Sequence, residues 1–380
     1  MKVVIAIDSL KGSLSSLNAG NTIKQGISNI IPDANVIVKP LADGGEGTTE
    51  ALVNGMNGEL INIQVTGPLF NKINSSYGII KDTNTAIIEM ASASGITLVP
   101  EELRNPLNTT TYGVGELIKD AIKKGITNFI IGIGGSSTNE GGIGMLSALG
   151  FEFLDKDGKP IELTGNGLLN LAKIETKNRL KELDNCTFNI ACDVTNPLCG
   201  EKGCSAIYGP QKGATPEMIE ELDKALKNYA NLTKDLFGKD NENVAGVGAA
   251  GGLGFAFLSY LNATLKSGIK IVLEEIKLEQ DILDADIVIT GEGRLDSQTA
   301  MGKAPIGVAK LAKKHNKLVI AFSGCVSEDA KICNEEGIDA YFPIIQRIDT
   351  LENILDEKVA KTNLLNTTEQ VFRLIKNLRR

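Results

Sequence analysis

Both ends of the chain alternate short apolar segments with amphipathic segments of helical period, and this alternation constrains the fold most. At the N-terminus, a predicted strand over 3–7 is followed by a polar loop, a helix over about 18–30 and a second strand at 35–38. After about residue 281 the same order returns, with predicted strands in "ADIVITGEG" and "KLVIAFSG" and a helix between them. Strand–helix–strand units of this kind form parallel sheets covered by helices.

The middle of the chain has a different composition. From about residue 67, predicted strands such as "TAIIEMA" and "NFIIGIG" are separated by long glycine-rich loops, and helices are predicted over 115–124, 216–237 and 254–261. A chain of 380 residues is long enough for two domains. We therefore predict an α/β protein with two α/β domains. The first is discontinuous and built from both termini (1–66 plus 282–380), and the second (67–281) is inserted in it.

Charge and composition exclude several classes of protein. The net charge of −8 argues against nucleic acid as a partner. No segment approaches the roughly 18 apolar residues of a membrane span, and "MKVVIAID" is too short for a signal peptide, so we expect a cytoplasmic protein with no membrane partner. Six cysteines without a C-x2-C motif, and a single histidine (His315), favour reduced thiols over a zinc site.

Six loops combine glycine with charge, and each follows a predicted strand or begins a helix. They are "DSLKGS", "ADGGEGT", "RNPLNTTTYGVGE", "GIGGSSTNEGG", "CDVTNPLCGEKGCSAIYGPQKGA" and "GEGRLDSQTAMGKAP". Ligands of parallel sheets bind outside the carboxyl ends of the strands, so we expect these loops to share one cleft. Phosphoryl transfer needs such residues: N–H donors and cations for phosphates, carboxylates for magnesium, and a base. The candidate cations are Lys11, Arg104, Lys212, Arg294 and Lys303, and the candidate carboxylates are Asp8, Asp43, Glu46, Asp193, Glu292 and Asp296.

Other interpretations of these loops remain open at this point. The loop "GIGGSSTNEGG" nearly matches the dinucleotide pattern G-x-G-x-x-G, but Ser137 stands at the third glycine position, which weighs against a nicotinamide cofactor. A Walker A motif is also missing from the sequence. A non-catalytic protein that binds a sugar acid or phosphate remains an alternative. A purely structural role is also open for two candidates: Asp8 as a helix cap, and Arg294 as the ion-pair partner of Asp296.

Taken together, the six loops and "AAGGLG" resemble the bacterial-type glycerate kinase family in both order and spacing, across essentially the whole chain. The family implies ATP-dependent phosphorylation of D-glycerate in a cleft between two α/β domains, one of them a flavodoxin-like three-layer domain built from both termini. ATP chemistry implies Mg²⁺. The 2-hydroxyl is the expected acceptor, the 3-hydroxyl remains an alternative, and the oligomeric state is open, with a homodimer among the options.

With this activity in view, residue type and position suggest roles for most of the candidate residues. Asp193 is the expected base, and Lys11, Arg294 and Lys212 complete the catalytic set. Asp8 and Ser9, with Lys11 and Arg294, are expected to bind the substrate, and Asp43 and Asp296 to hold magnesium. The residues expected to bind nucleotide phosphates are Gly134, Gly135, Ser136, Ser137 and Asn139. Exchange of roles among the carboxylates remains open.

Overall fold

The structure is a computed structural model that describes residues 1–42 and 47–379. The chain divides into two compact units. The first consists of Met1–Asp43, Glu50–Asn57 and Ile269–Arg380, and the second of Gly44–Thr49 and Gly58–Gly268. Relative to the predicted boundaries, residues 44–49 and 58–66 therefore lie in the second unit and residues 269–281 in the first. Each unit is described by itself.

The described residues form thirteen strands and sixteen α-helices. The strands are β1 (Lys2–Ile7), β2 (Asn35–Pro40), β3 (Glu59–Thr66), β4 (Lys72–Ile80), β5 (Thr85–Glu89), β6 (Asn128–Gly132), β7 (Glu152–Leu154), β8 (Lys173–Glu175), β9 (Thr187–Ala191), β10 (Thr264–Lys266), β11 (Ile287–Leu295), β12 (Leu318–Val326) and β13 (Ala340–Pro343). The helices are α1 (Ser16–Ile30), α2 (Thr48–Gly55), α3 (Ala91–Ser94), α4 (Tyr112–Lys123), α5 (Ile143–Ala148), α6 (Gly165–Leu168), α7 (Cys204–Tyr208), α8 (Pro216–Phe237), α9 (Ala249–Tyr260), α10 (Gly268–Glu275), α11 (Leu278–Ile282), α12 (Ser297–Ala300), α13 (Ala304–Lys314), α14 (Ile332–Glu335), α15 (Leu351–Leu355) and α16 (Glu357–Leu378).

The first unit is built on a five-stranded, fully parallel sheet in the order β2-β1-β11-β12-β13. Numbered along the chain within this sheet, the order is 2-1-3-4-5, which is the flavodoxin-like arrangement. Side chains alternate across a strand, so Val3, Ile5 and Ile7 of β1 enter one core together with α1 and α16. Helix α13 packs on β11 and β12. The prediction of an α/β protein with a parallel sheet is confirmed.

Helix α1 shows how local sequence produces this packing. Ala19, Ile23 and Ile27 recur every four residues, which gives the helix a continuous apolar face toward the core. Ser15 begins the helix, because its side chain accepts a hydrogen bond from the N–H of Asn18 at 3.2 Å. The predicted helix over 18–30 is thus confirmed, and it begins slightly earlier than expected.

The second unit contains a mixed six-stranded sheet in the order β10-β9-β6-β5-β4-β3. Strands β5, β6, β9 and β10 are parallel, whereas β3 and β4 form an antiparallel edge. Phe129 of β6 and Phe188 of β9 stack at 4.8 Å between ring centroids within its core. The parallel strands β5, β6 and β9 end at one edge, and the loops that follow them carry the candidate site residues.

A short strand of the second unit lies outside the six-stranded sheet. It is β7, which is antiparallel to β8 in a separate two-stranded sheet. Among the described residues, no helix has both the length and the apolar character needed to cross a bilayer.

Candidate active site

The glycine-rich loop that follows β6 has an exposed half and a buried half. Gly134 and Gly135 are exposed, while residues 136–140 are all buried. Gly135 has a φ of +72°, a backbone conformation that glycine adopts without steric strain. A Cβ atom at Gly134 would meet nothing within 4 Å, so the backbone there is open to an approaching group.

Three consecutive backbone donors lie in the turn where the exposed half of this loop meets the buried half. Within residues 1–42 and 47–379, the N–H groups of Gly134, Gly135 and Ser136 donate to no acceptor. Successive N–H groups around a left-handed residue form a concave surface that binds anions. The turn is therefore chemically suited to a phosphate oxygen, as the sequence predicted for these three residues.

The buried half of the loop is fixed by hydrogen bonds to protein groups. The N–H and the hydroxyl of Ser137 both donate to the carbonyl of Ser94 at 3.0 Å, and the Thr109 hydroxyl donates to the carbonyl of Ser137 at 3.1 Å. Asn139 donates from Nδ2 to the Ser205 hydroxyl at 2.9 Å and accepts from the Cys204 thiol at 3.3 Å. Ser137 and Asn139 thus support the loop from behind, which differs from the predicted contact with nucleotide.

Lys212 lies beneath the same loop. It is only 2% exposed, and its Nζ donates to the carbonyl oxygen of Thr138 at 2.5 Å. Burial lowers the pKa of Lys212 to about 8, while Cys204 and Glu140 act in the opposite direction. The sequence predicted a catalytic role for Lys212, whereas the structure places its ammonium inside the protein against the loop backbone.

Glu140 is the second ionisable group in this buried region. It is fully buried, and its Oε1 accepts hydrogen bonds from both the N–H (2.8 Å) and the hydroxyl (2.5 Å) of Thr111. Burial raises the pKa of Glu140, and the two bonds from Thr111 partly offset this effect. The Thr111 hydroxyl also accepts from the N–H of Met145 at 2.8 Å. Glu140 therefore joins the 109–111 segment to the start of α5.

Asp193 follows β9, the neighbour of β6 in the sheet. Gly132 of β6 pairs with Ala191 of β9, so Gly134 and Asp193 each lie two residues beyond a paired position, at the same edge. Asp193 is exposed, and its Oδ1 accepts the N–H of Gly268 at 3.0 Å, at the start of α10. The structure therefore brings the predicted base to the sheet edge that carries the Gly134–Ser136 turn.

The candidate substrate residues Asp8, Ser9 and Lys11 follow β1 of the first unit. The N–H of Asp8 donates to the carbonyl of Gly291 at 2.9 Å, and its Oδ1 accepts the N–H of Ser9 at 2.7 Å. Asp8 does not cap α1, since Ser15 does so. Lys11 is exposed and its backbone nitrogen lies next to Gly293, where a Cβ would be 3.1 Å away.

Arg294 and Asp296 lie at the end of β11, close to the Lys11 loop. The Arg294 side chain is 63% exposed, and its Nε is 3.6 Å from Oδ2 of Asp296. Oδ1 of Asp296 caps α12 by accepting the N–H groups of Gln298 (3.0 Å) and Thr299 (3.1 Å). Asp8, Lys11, Arg294 and Asp296 are thus brought to one edge of the first unit's sheet. Asp296 also has the structural role of a helix cap.

The donor set around Asp296 fits a magnesium ion bound together with phosphates. The Thr299 hydroxyl donates to Oε1 of Glu292 at 2.6 Å and lies 3.4 Å from Oδ1 of Asp296, so two carboxylates flank one hydroxyl. Mg²⁺ in nucleotide sites is held by one or two carboxylates, with water and phosphates as the other ligands. The described residues contain no group of three or more His, Cys, Asp or Glu that could hold an ion alone. Asp43, the second predicted ligand, lies outside the described residues.

Glu89 is a structural contributor to the site region that the sequence did not reveal. It is the last residue of β5, paired in register with Gly132. Its carboxylate accepts the N–H of Gly47 at 3.3 Å and the N–H of Thr49 at 2.7 Å, at the start of α2. Glu89 thus ties the end of the "ADGGEGT" loop to the edge of the second unit's sheet. An acid that ends an otherwise apolar strand was the only available indication.

Comparison with known proteins decides the family. The family model described as "Glycerate kinase family" matches residues 3–376. The chain belongs to the glycerate kinase family. The family prediction is confirmed, and with it the prediction that the protein is a kinase.

Individual relatives agree over nearly their full lengths. A glycerate kinase of Haemophilus influenzae is 51% identical over 375 residues, which is 99% of each chain. A glycerate 2-kinase of Escherichia coli is 49% identical over 352 residues, covering 93% of this chain and 92% of the relative. A solved structure from Salmonella typhimurium LT2, described as a candidate glycerate kinase 2, has a TM-score of 0.92 and 48% identity, and the match covers 100% of this chain and 99% of that one.

Proposed function

We propose that this member of the glycerate kinase family transfers the γ-phosphoryl group of ATP to the 2-hydroxyl of D-glycerate. The observation that carries the proposal is the turn Gly134–Ser136, which is exposed at its two glycines and has three unpartnered N–H groups among the described residues, in a chain of this family. The choice of the 2-hydroxyl follows the relative named glycerate 2-kinase. The 3-hydroxyl is the second candidate.

The turn would bind the nucleotide phosphates. Backbone N–H groups that have no acceptor in the protein can bind an anion without breaking an existing hydrogen bond, and a turn held by its neighbours loses little free energy to ordering of the loop. The hydrogen bonds of Ser137 and Thr109 hold the turn in place from behind. In this role Ser137 supports the phosphate site without touching the phosphate.

The acceptor hydroxyl would lose its proton to Asp193. As the hydroxyl oxygen forms its bond to the γ-phosphorus, the bond from that phosphorus to the bridging oxygen of ADP breaks, and the hydroxyl proton passes to the Asp193 carboxylate. Lys11 and Arg294 would bind the glycerate carboxylate, since both side chains are exposed cations. Asp8 and Ser9, which precede Lys11, would line the same region.

Asp296, with Glu292 beside it, would hold Mg²⁺, and Asp43 remains a candidate that lies outside the described residues. When bound, the ion neutralises charge on the phosphates during transfer. We also propose a cytoplasmic location, because all six cysteines are free and reduced thiols are typical of that compartment.

Coupled detection of ADP release tests the proposal on a panel of acceptors. D-glycerate, L-glycerate and glycolate are offered with Mg·ATP, and we expect turnover with D-glycerate well above that with the other two. Asp193→Asn keeps the size of the side chain and removes the base, so kcat should fall by about 100-fold or more. A wild-type protein that releases no ADP with D-glycerate would contradict the function. Asp193→Asn with a near-normal kcat would contradict only the base.

A further inference from the structure

We infer that Arg104 binds the phosphate chain of the nucleotide. This inference rests on the proposed use of ATP and adds a cation from the second unit to the backbone donors of the Gly134–Ser136 turn. The first observation is the state of its guanidinium. The Nε atom of Arg104 is buried and has no hydrogen-bond partner among the described residues. The residue as a whole is only half-buried.

A buried N–H without an acceptor is unfavourable, because it has lost water and gained nothing in return. Arginine is normally paired when its polar atoms are removed from solvent. In the described part of the chain, Arg104 forms no ion pair and no side-chain hydrogen bond, whereas Arg179, Arg294, Arg347 and Arg379 each lie within 4.0 Å of a carboxylate. A half-buried guanidinium that has no protein acceptor among the described residues therefore fits an external oxyanion.

The second observation is the position of Arg104 in the same cluster of loops. Its backbone contacts Gly213 so closely that a Cβ atom at Gly213 would overlap the Arg104 carbonyl oxygen. The residue before Gly213 is Lys212, whose ammonium binds the Thr138 carbonyl under the glycine-rich loop. The hydroxyl of Thr138 is likewise buried without a partner among the described residues.

Arg104 also begins the segment that supports the loop from its other side. Thr109 and Thr111, five and seven residues further on, bind the Ser137 carbonyl and the Glu140 carboxylate. The arginine is thus connected to the phosphate-binding turn both through Lys212 and through its own segment. Because the segment that begins at Arg104 supports the turn proposed for the phosphates, the nucleotide is a more direct occupant than the acceptor acid.

The experiment measures binding of Mg·AMP-PNP by calorimetry to the full-length wild type, Arg104→Met, Arg104→Lys and Arg179→Met. Arg179 is the matched control, because it is an arginine of the same unit paired with Asp184 at 2.6 Å. Loss of a charge-assisted pair of hydrogen bonds should weaken binding by Arg104→Met about 10- to 100-fold. Arg104→Lys keeps the charge without the planar pair of donors, so it should show an intermediate loss. Arg179→Met should bind as the wild type does.

Stability of the ligand-free protein supplies the second readout. Because Arg104 forms no side-chain hydrogen bond among the described residues, Arg104→Met should unfold at the wild-type urea midpoint or above it. A large fall in the midpoint would assign a structural role and overturn the inference. Unchanged AMP-PNP binding, or a change confined to the KM for D-glycerate, would overturn it as well. If the wild type binds AMP-PNP but does not phosphorylate D-glycerate, the proposed function is contradicted, while the affinities of the Arg104 variants for AMP-PNP still test the role of Arg104.

Discussion

Replacement of Lys212 by methionine should change how the stability of the protein depends on pH. Methionine has a similar length and no charge, so the substitution removes the buried ammonium and its hydrogen bond to the Thr138 carbonyl. Burial lowers the pKa of Lys212 from its usual value of 10.5 to about 8. Between these two pH values the unfolded chain binds more protons at this residue than the folded protein does. The contribution of Lys212 to the free energy of unfolding therefore rises with pH across this window.

The magnitude follows from the two pKa values. One pKa unit corresponds to about 1.4 kcal/mol, so at pH 7 the shift lowers the wild-type free energy of unfolding by about 3 kcal/mol. At pH 9.5 the unfolded residue is largely protonated and the folded one is largely neutral, which leaves about 1.4 kcal/mol of this penalty. The free energy of unfolding of the wild type, relative to that of Lys212→Met, should thus increase by about 2 kcal/mol from pH 7 to pH 9.5.

Urea unfolding followed by circular dichroism measures this difference, since the chain has no tryptophan. Cys204 and Glu140 are the titratable groups that act on Lys212, and burial raises the pKa of the Cys204 thiol to about 11. Both groups are present in both proteins, and the comparison is run with a reductant. Lys81→Met is the control, because Lys81 is exposed and Glu59 raises its pKa. A wild-type-minus-variant difference that is constant from pH 7 to pH 9.5 would refute the reasoning.

Three further changes test separate parts of the site. Gly135→Ala places a Cβ atom on a residue with a φ of +72°, so we expect a stability loss of about 1 kcal/mol and a raised KM for ATP. Gly134→Ala is the control in the same assays, because a Cβ atom at Gly134 would meet nothing within 4 Å. Asp296→Asn can keep the cap on α12 but removes the charge, so its urea midpoint should stay near that of the wild type while the Mg²⁺ concentration for half-maximal activity rises. Asp296→Ala should lose about 1 kcal/mol in addition, and equal stability of the two variants would contradict the cap. Glu89→Gln weakens the acceptor of the Gly47 and Thr49 N–H groups, so the free energy of unfolding in urea should fall by about 1 kcal/mol. An unchanged free energy of unfolding would show that these hydrogen bonds do not stabilise the protein.

Helices and strands whose ends are determined by nearby residues, such as a helix cap or a proline, were predictable from the sequence. Helix α8 has the bounds predicted for it, Pro216–Phe237, because Thr215 caps it and a proline occupies its first position. The parallel strands β1, β11 and β12 were visible as apolar runs between glycine-containing loops. The antiparallel edge formed by β3 and β4 was not predicted.

The candidate site was predictable in position but not in the orientation of its side chains. Gly134, Gly135 and Ser136 were assigned to phosphate binding, and their N–H groups lie in the exposed turn. The neighbouring Ser137 has an equally polar side chain, but it turns inward because the carbonyl of Ser94, 43 residues away in sequence, accepts its hydroxyl. Lys212 is buried for a similar reason, since its acceptor Thr138 is 74 residues away. Local patterns carry no information about partners at such distances.

Phosphorus NMR of the purified protein with Mg·ATP and D-glycerate tests the central claim most directly. We expect the ATP signals to decline, the ADP signals to rise, and a new phosphomonoester signal to appear. Transfer to the 2-hydroxyl places the phosphate next to a single proton, so this signal should be a doublet when proton coupling is retained. A triplet would instead indicate the 3-hydroxyl. ADP with inorganic phosphate alone, or no consumption of ATP, would contradict the assignment of D-glycerate as the acceptor.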